Sequence, residues 1–501
     1  MRRLTALAVA AAALAALVPA SPAAHARGKP PPEWAANAGG WPAHNHDLAN
    51  TRATTRSPIT ARTVAKLRVR WRFAIPGTSS FGAFASTPIA LGDTVYLQDL
   101  NSNVYALARS TGTLRWKHVF ADPNVGPNGV SYGWGRLYGA TTTSAFALDP
   151  KTGKLLWSRR LARSAHEGIE IAPQLYDGTA LFSTVPSNVS GSYRPGALGV
   201  VWALDAATGK PRWRFDTVLG GTALWGRPDV NGGGGLWYPP AVDGQGRVYL
   251  SVGNPAPFPG TRAYPNGASR PGPNLYTNSL VVLDGATGKL LWYRQAVPHD
   301  VRDYDLMLPA ILTPGAVITG GKMGKVYAYR PSDGRSLWTT AVGRHENDTG
   351  PLPDSRVAVY PGTLGGVETP MAFAGGRVFV PWADLATRAS ATSSNGIDPL
   401  RDGRGGFAAL DAVSGEVLWQ HALPSLDFGA ATVANDVVFT STYDGTIYAF
   451  ATASGKQLWT AKARAGINAF PAVAGGMLLV GAAAPGFAEH PRFELIAYAL
   501  G

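Results

Sequence analysis

Residues 298–305 read PHDVRDYD, which places three carboxylates (Asp300, Asp303, Asp305) and one arginine in eight residues. No strand or helix face needs that density of acid for folding. Carboxylates so close in sequence point to a shared cation or a shared proton, that is, to metal coordination or general-base chemistry. The alternative is a solvated turn. In extended backbone, residues two apart point to the same side. Asp303 and Asp305 are therefore placed to converge, and Asp300 need not join them.

What holds such a stretch in place is legible in a repeat. YALARSTGTLRW (105–116), FALDPKTGKLLW (146–157), WALDAATGKPRW (202–213), VVLDGATGKLLW (281–292), YAYRPSDGRSLW (327–338), AALDAVSGEVLW (408–419) and YAFATASGKQLW (448–459) share one pattern. Each is an alternating strand, a tight turn carrying Gly, then a strand reaching Trp. The residues between repeats supply two further strands, so each unit is a four-stranded antiparallel sheet. Radial repetition of such sheets makes a β-propeller.

The repeats give seven blades. LRVRWRF (67–73) offers an unpaired last-type strand near the N-terminus, and FELIAYALG (493–501) ends the chain one strand short of its pattern. The expected fold is an all-β, eight-bladed β-propeller of four-stranded antiparallel blades, closed by pairing of the N- and C-terminal strands. The repeated tryptophans are expected as wedges between neighbouring blades. Their spacing is usually 40 to 56 residues, but it widens to 79 before Trp292 and 81 before Trp419. Insertions of that length in a compact domain usually carry function.

Composition narrows the classes. Gly (60) and Pro (39) are abundant in 501 residues, which favours turns and short strands. Residues 1–26 read as a secretory leader: Arg2 and Arg3, an apolar run, then Ala24-His25-Ala26. The expected division is a signal peptide (1–26), an N-terminal extension (27–60) and the propeller (61–501), in a secreted or periplasmic protein that does not span the membrane. There is no cysteine, which removes thiol catalysis, Cys-ligated metals and C-x-x-C-H haem attachment. The net charge of +13 is scattered rather than clustered. Nucleic acid is not expected as a partner, whereas a small acidic ligand or an acidic redox partner suits the charge.

The N-terminal WPAHNHDLANTR with SPI (41–59) and the stretch GPNLYTNSLVVLDGATGKLLWYRQAVPHDVRDYDL (272–306) resemble the quinoprotein alcohol dehydrogenases. These are periplasmic eight-bladed propellers that use pyrroloquinoline quinone and a metal ion. The resemblance implies a role for each matching residue. Trp237, in GGGGLW, is the floor under the quinone, and Asn254, in VGNPAPF, is the amide metal ligand. Asp303 is the catalytic base and a metal ligand. Asp305 sits where lanthanide-using members place one more acidic ligand. Lys322, in GGKMGKVYAY, hydrogen-bonds the quinone carbonyls and stabilises charge developing there. The resemblance also implies calcium or a lanthanide as the metal, an alcohol, sugar or polymer hydroxyl as substrate, and an external electron acceptor such as a cytochrome.

Some family features are missing. Where the family has a metal-binding glutamate, strand alignment places Arg194 or Pro195. The adjacent-cysteine ring over the quinone is absent. Asn128 replaces the arginine that clamps a cofactor carboxylate, and Ala85 replaces a glutamate. Glu170 stands where the family has a cofactor-contacting threonine, and would return a carboxylate to the site. Two other readings stand beside the enzyme: a non-catalytic propeller acting as a binding or envelope-assembly scaffold, and a quinone or metal sensor without turnover. Joint retention of Trp237, Asn254, Asp303 and Lys322 favours the enzyme.

Overall fold

The structure, a computed structural model, describes residues 28–76, 79, 81–186 and 194–501. The leader expected over residues 1–26 lies outside the described residues. One short α-helix, Pro32–Ala36, and a few 3-10 turns accompany forty strands among them.

The strands form seven four-stranded sheets and one five-stranded sheet, with three smaller ribbons. In a representative sheet, Ile89–Leu91, Thr94–Gln98, Val104–Ala108 and Leu114–His118 lie side by side, all antiparallel. Its second strand is buried along its whole length, while its fourth is mostly exposed. Sheets packed face to face account for this gradient, because inner strands are covered on both faces. The fifth strand departs from the four-stranded expectation: Ala53–Thr54 adds in parallel to Val433–Ala434.

The tryptophans join one sheet to the next. The indole N–H of Trp116 donates to Pro150 O at 3.0 Å, that of Trp157 to Ala206 O at 3.1 Å, and that of Trp419 to Thr452 O at 3.1 Å. Trp71, Trp213, Trp292 and Trp338 repeat the contact on Arg109, Gly285, Pro331 and Ala412. The turn glycine of each repeat is required by the same contact. Gly112 has φ +72°, and a Cβ there would lie 2.6 Å from the Trp71 ring.

The chain ends share a sheet. Leu67–Ala74 pairs antiparallel with Glu494–Leu500, with Trp71 opposite Ala497. Met477–Ala482 and Ala472–Ala474 complete that sheet.

The N-terminal segment reaches the inner strand, or the turn beside it, of all eight large sheets. Lys29 O accepts from Asp177 N, Gly39 O from Gly475 N, and Pro42 O from Tyr132 N. Trp41 pairs with Ala90 in both directions. Leu48, Ala49, Thr51 and Arg52 carbonyls accept from Val242, Leu312, Phe373 and Val433. Arg52, fully buried, then donates to the carbonyls of Ala431 (2.8 Å), His44 (2.8 Å) and Pro471 (2.8 Å) and to Thr432 Oγ1 (2.7 Å).

The two long insertions fold into added structure. The first carries a ribbon of Gly232–Gly233 and Pro255–Ala256. The second carries a three-stranded sheet of Val357–Val359, Thr387–Ser390 and Ser393–Ile397.

Candidate functional site

PHDVRDYD is a tight loop rather than a strand. Asp300 shapes it: its Oδ1 accepts from Arg302 N at 2.8 Å and its Oδ2 from Tyr304 N at 2.7 Å. Arg302 anchors the loop to the second insertion by donating to the carbonyls of Asn347, Thr349 and Gly350 at 2.8 Å each. Asp303 takes φ +67°, a left-handed conformation that costs a non-glycine residue energy and clusters at functional sites. Asp305 N donates back to Asp303 O at 3.0 Å. Asp303 and Asp305 do converge, as expected, but a turn brings them together instead of extended alternation.

They meet on Lys322. Its Nζ lies 3.0 Å from Asp303 Oδ2 and 2.8 Å from Asp305 Oδ2. Asn254 joins them through Nδ2 to Asp303 Oδ1 at 2.9 Å and through its backbone N–H to Asp305 Oδ1 at 2.8 Å. The Trp237 indole N–H reaches the same Asp305 Oδ1 at 3.3 Å. Glycines allow this approach. A Cβ on Gly253 would sit 2.8 Å from Asp305 Oδ1, and one on Gly321 would sit 1.8 Å from Asp305 O.

The cluster is buried: Asp303 is 5%, Asp305 1% and Lys322 9% exposed. Burial pushes the Asp303 carboxyl well above its ordinary range; Lys322 pulls it down and Asp305 pushes it up. Burial opposes the charge on Lys322, but Asp303, Asp305 and Glu368 outweigh it and hold the ammonium charged.

Glu368 is the residue that sequence reasoning missed. It lies in the second insertion, whose length was the available signal. Its backbone carbonyl accepts from Tyr238 OH at 3.0 Å, and Tyr238 follows Trp237. Its Oε1 is buried without a hydrogen-bond partner. Burial pushes its carboxyl up to about 8, with Lys322 opposing and Asp305 adding to the rise.

Of the residues picked from sequence, Trp237, Asn254, Asp303, Asp305 and Lys322 form this cluster. Asn128 and Glu170 belong to a neighbouring group. Asn128 Nδ2 donates to Asp99 O at 2.9 Å, while its Oδ1 is buried without a partner. Asn124 ties that loop to the strand of Glu170 by donating to Ile169 O at 2.8 Å. Ser86 connects this group to the cluster: its Oγ donates to Asn128 O and lies 3.5 Å from His44 Nδ1. The His44 ring is 5.7 Å from that of Tyr238. Arg194 and Pro195 are both exposed, so neither takes the place of the missing glutamate.

Trp237 is the one residue from 231 to 240 that is not fully buried, so its surface is open where its neighbours are covered. That suits a flat ligand laid against indole. For a metal the donors fit in charge, since two carboxylate oxygens already converge on one cationic nitrogen. They fall short in number: among the described residues no three His, Asp or Glu side chains are grouped as ligands, and calcium takes 6–8 oxygens.

The family model for the β-propeller domain of glucose, ethanol and alcohol dehydrogenases matches residues 41–133 and 162–349. A second model, of the outer membrane protein assembly factor BamB, matches residues 403–489. The chain is 26% identical to the quinohemoprotein alcohol dehydrogenase of Comamonas testosteroni, over 86% of this chain and 70% of that one. Its fold resembles quinohemoprotein alcohol dehydrogenase ADHIIG of Pseudomonas putida HK5, with TM-score 0.80, 22% identity, and coverage of 93% of this chain and 81% of that one. It also resembles a europium-containing methanol dehydrogenase, with TM-score 0.76, 20% identity, and coverage of 92% and 98%. All five residues of the cluster fall within the matched stretch 162–349. The chain belongs to the PQQ-dependent glucose, ethanol and alcohol dehydrogenase family of β-propellers.

Proposed function

We propose that this chain is a secreted or periplasmic dehydrogenase that oxidises an alcohol, a sugar or a polymer hydroxyl. Trp237 would hold pyrroloquinoline quinone, and Asp303, Asp305 and Asn254 would hold a calcium or lanthanide ion. The observation that carries this reading is the convergence of Asp303, Asp305, Asn254, Lys322 and Trp237 within hydrogen-bond reach. When bound, the quinone would accept the substrate C–H hydrogen with its electron pair, as a hydride, and the metal would polarise the acceptor carbonyl. Asp303 takes the hydroxyl proton of the substrate; a carboxyl raised by burial is the stronger base for that step. Lys322 supplies fixed positive charge beside the acceptor. Asn254 and Trp237 hold the carboxylates in register. Asn128 and Glu170 line the adjoining wall as further cofactor contacts. With no cysteine to attach a haem, electrons leave to a separate acceptor such as a cytochrome. Among the described residues no helix is long and apolar enough to cross a membrane.

The eight large sheets are proposed as eight blades of one ring, closed by the pairing of Leu67–Ala74 with Glu494–Leu500. The shared sheet and the succession of indole contacts support this arrangement.

The scaffold reading is favoured by the assembly-factor match over 403–489. That stretch contributes none of the five clustered residues. The deciding experiment adds pyrroloquinoline quinone with calcium or lanthanum to the purified protein and follows alcohol-dependent dye reduction. Turnover that disappears in Asp303→Ala supports the dehydrogenase. Failure to bind the quinone and either ion supports the scaffold.

A further inference from the structure

Lys322 Nζ sits where the Oδ2 atoms of Asp303 and Asp305 converge, at 3.0 and 2.8 Å. Those two carboxylates are the ones that the proposed function assigns to the metal. A cation coordinated at about 2.3–2.6 Å from carboxylate oxygens occupies nearly the same point as an ammonium ion-paired with both. Two positive centres cannot share that point, because their repulsion grows as their separation falls.

The lysine has somewhere else to go. Glu368 is held beside it, since Val367 N donates to Gly321 O at 3.1 Å, and its Oε1 is buried without a hydrogen-bond partner. A buried, unpartnered carboxyl oxygen is costly unless a donor reaches it at some point in the working cycle. Lys322 has a flexible four-carbon stem and a rotatable ammonium, so it can turn without moving the backbone. Its own N–H is fixed to Asp305 O at 3.1 Å, which holds the base of the stem.

We infer that Lys322 is a two-seat switch. In one seat it neutralises Asp303 and Asp305. In the other it pairs with Glu368 and leaves both aspartates to the metal. Metal loading and the position of the ammonium are then one event, and Glu368 is the positioning residue that makes the exchange possible. This rests on the metal assignment of the proposed function.

Terbium(III) titration of the full chain tests it, read as luminescence on tryptophan excitation; the Trp237 indole touches Asp305 and serves as the antenna. Lys322→Met and Lys322→Gln remove the competitor and should bind terbium more tightly than the parent, by about tenfold or more. Glu368→Gln removes the second seat and should bind more weakly than the parent. A purely structural lysine predicts the opposite sign for its own removal. If both lysine variants bind terbium no better than the parent, or if Glu368→Gln binds as well as the parent, the switch is overturned while the metal assignment stands. If the lysine variants do not fold, the Glu368→Gln result decides alone. If Asp303→Asn and Asp305→Asn leave terbium binding unchanged, the metal assignment fails and the switch with it.

Discussion

The indole N–H of Trp237 donates to Asp305 Oδ1 at 3.3 Å. The surface on which a flat cofactor would rest is thereby bonded to one of the carboxylates that would hold the cation. Asn254 N also binds that oxygen, at 2.8 Å, so only Oδ2 of Asp305 remains to face a cation. Asp305 would thus be a fixed, single-oxygen ligand, and disturbing it would disturb Trp237.

Asp305→Ala should therefore affect both floor and metal. A trivalent ion gains more than a divalent one from each added carboxylate, because attraction scales with charge. In calorimetric titration of cofactor-supplemented protein, the parent should bind lanthanum more tightly than calcium. Asp305→Ala should weaken lanthanum more than calcium. Equal affinities for the two ions in the parent, or no change in the variant, would refute the role given to Asp305.

Asp303→Ala should cost at least the ~10²-fold typical of removing a general base, with the melting temperature close to that of the parent. Dye-linked alcohol oxidation checks the first point and a thermal scan the second. Asp303→Asn keeps the shape and the Asn254 contact, and should be as inactive. An active Asp303→Asn would show that the carboxylate is not the base.

Stability should fall with pH in a definite window. The Glu368 carboxyl is raised to about 8 from an ordinary value of 4.5, chiefly by burial. The folded state thus holds a proton that the unfolded chain releases above about 4.5. That contribution is fully present below the unfolded value, declines as pH rises, and is gone above about 8. Melting temperatures from pH 5 to pH 9 should decline less steeply in Glu368→Gln than in the parent. Parallel profiles would show that Glu368 does not titrate in this window.

The turn-and-strand repeat made the sheets legible, because each unit needs Gly in its turn and Trp at its end. Gly112 over Trp71 shows both demands at one contact. PHDVRDYD was legible as a candidate site because acid so dense has no packing use. Its geometry was not: convergence depends on a positive φ at Asp303 and on Asp300 capping the turn, which are properties of the folded loop. Glu368 was hidden because it is a lone acid inside an insertion, with no partner near it in sequence. Arg52 was visible only as part of a signature. That its guanidinium ends among Ala431, Thr432 and Pro471 follows from long-range topology that local pattern does not encode.

Arg52→Met should destabilise the whole propeller. The fully buried guanidinium serves carbonyls of His44, Ala431 and Pro471 and the hydroxyl of Thr432. Pro471 O and His44 O would keep Thr432 Oγ1 and Trp41 Nε1 as donors, but Ala431 O would be orphaned; a buried acceptor left without a donor costs about 1–3 kcal/mol, so a loss of about that size is expected. Arg52→Lys should rescue little, because a point ammonium cannot match a planar fork. Thermal melting of both variants checks this, and a lysine variant as stable as the parent would show that charge rather than geometry matters there.

Removing residues 493–501 should open the proposed ring. The strand Glu494–Leu500 lies between Leu67–Ala74 and Met477–Ala482, so its loss leaves two unpaired edges facing each other across a gap. Exposed edges of that length invite pairing with other chains. Trp71 would lose its cross-strand neighbour Ala497, though it would keep its bond to Arg109 O on the next sheet. The loss would also uncover Leu478, Leu479 and Val480 of the neighbouring strand, all fully buried, adding apolar surface to the open edges. The truncated chain should aggregate and melt at a lower temperature than the parent, as read by light scattering during a thermal scan. A truncated chain that stays monodisperse with an unchanged melting temperature would show that the ring is held by its indole contacts and N-terminal segment alone, and that the end-to-end pairing does not close it.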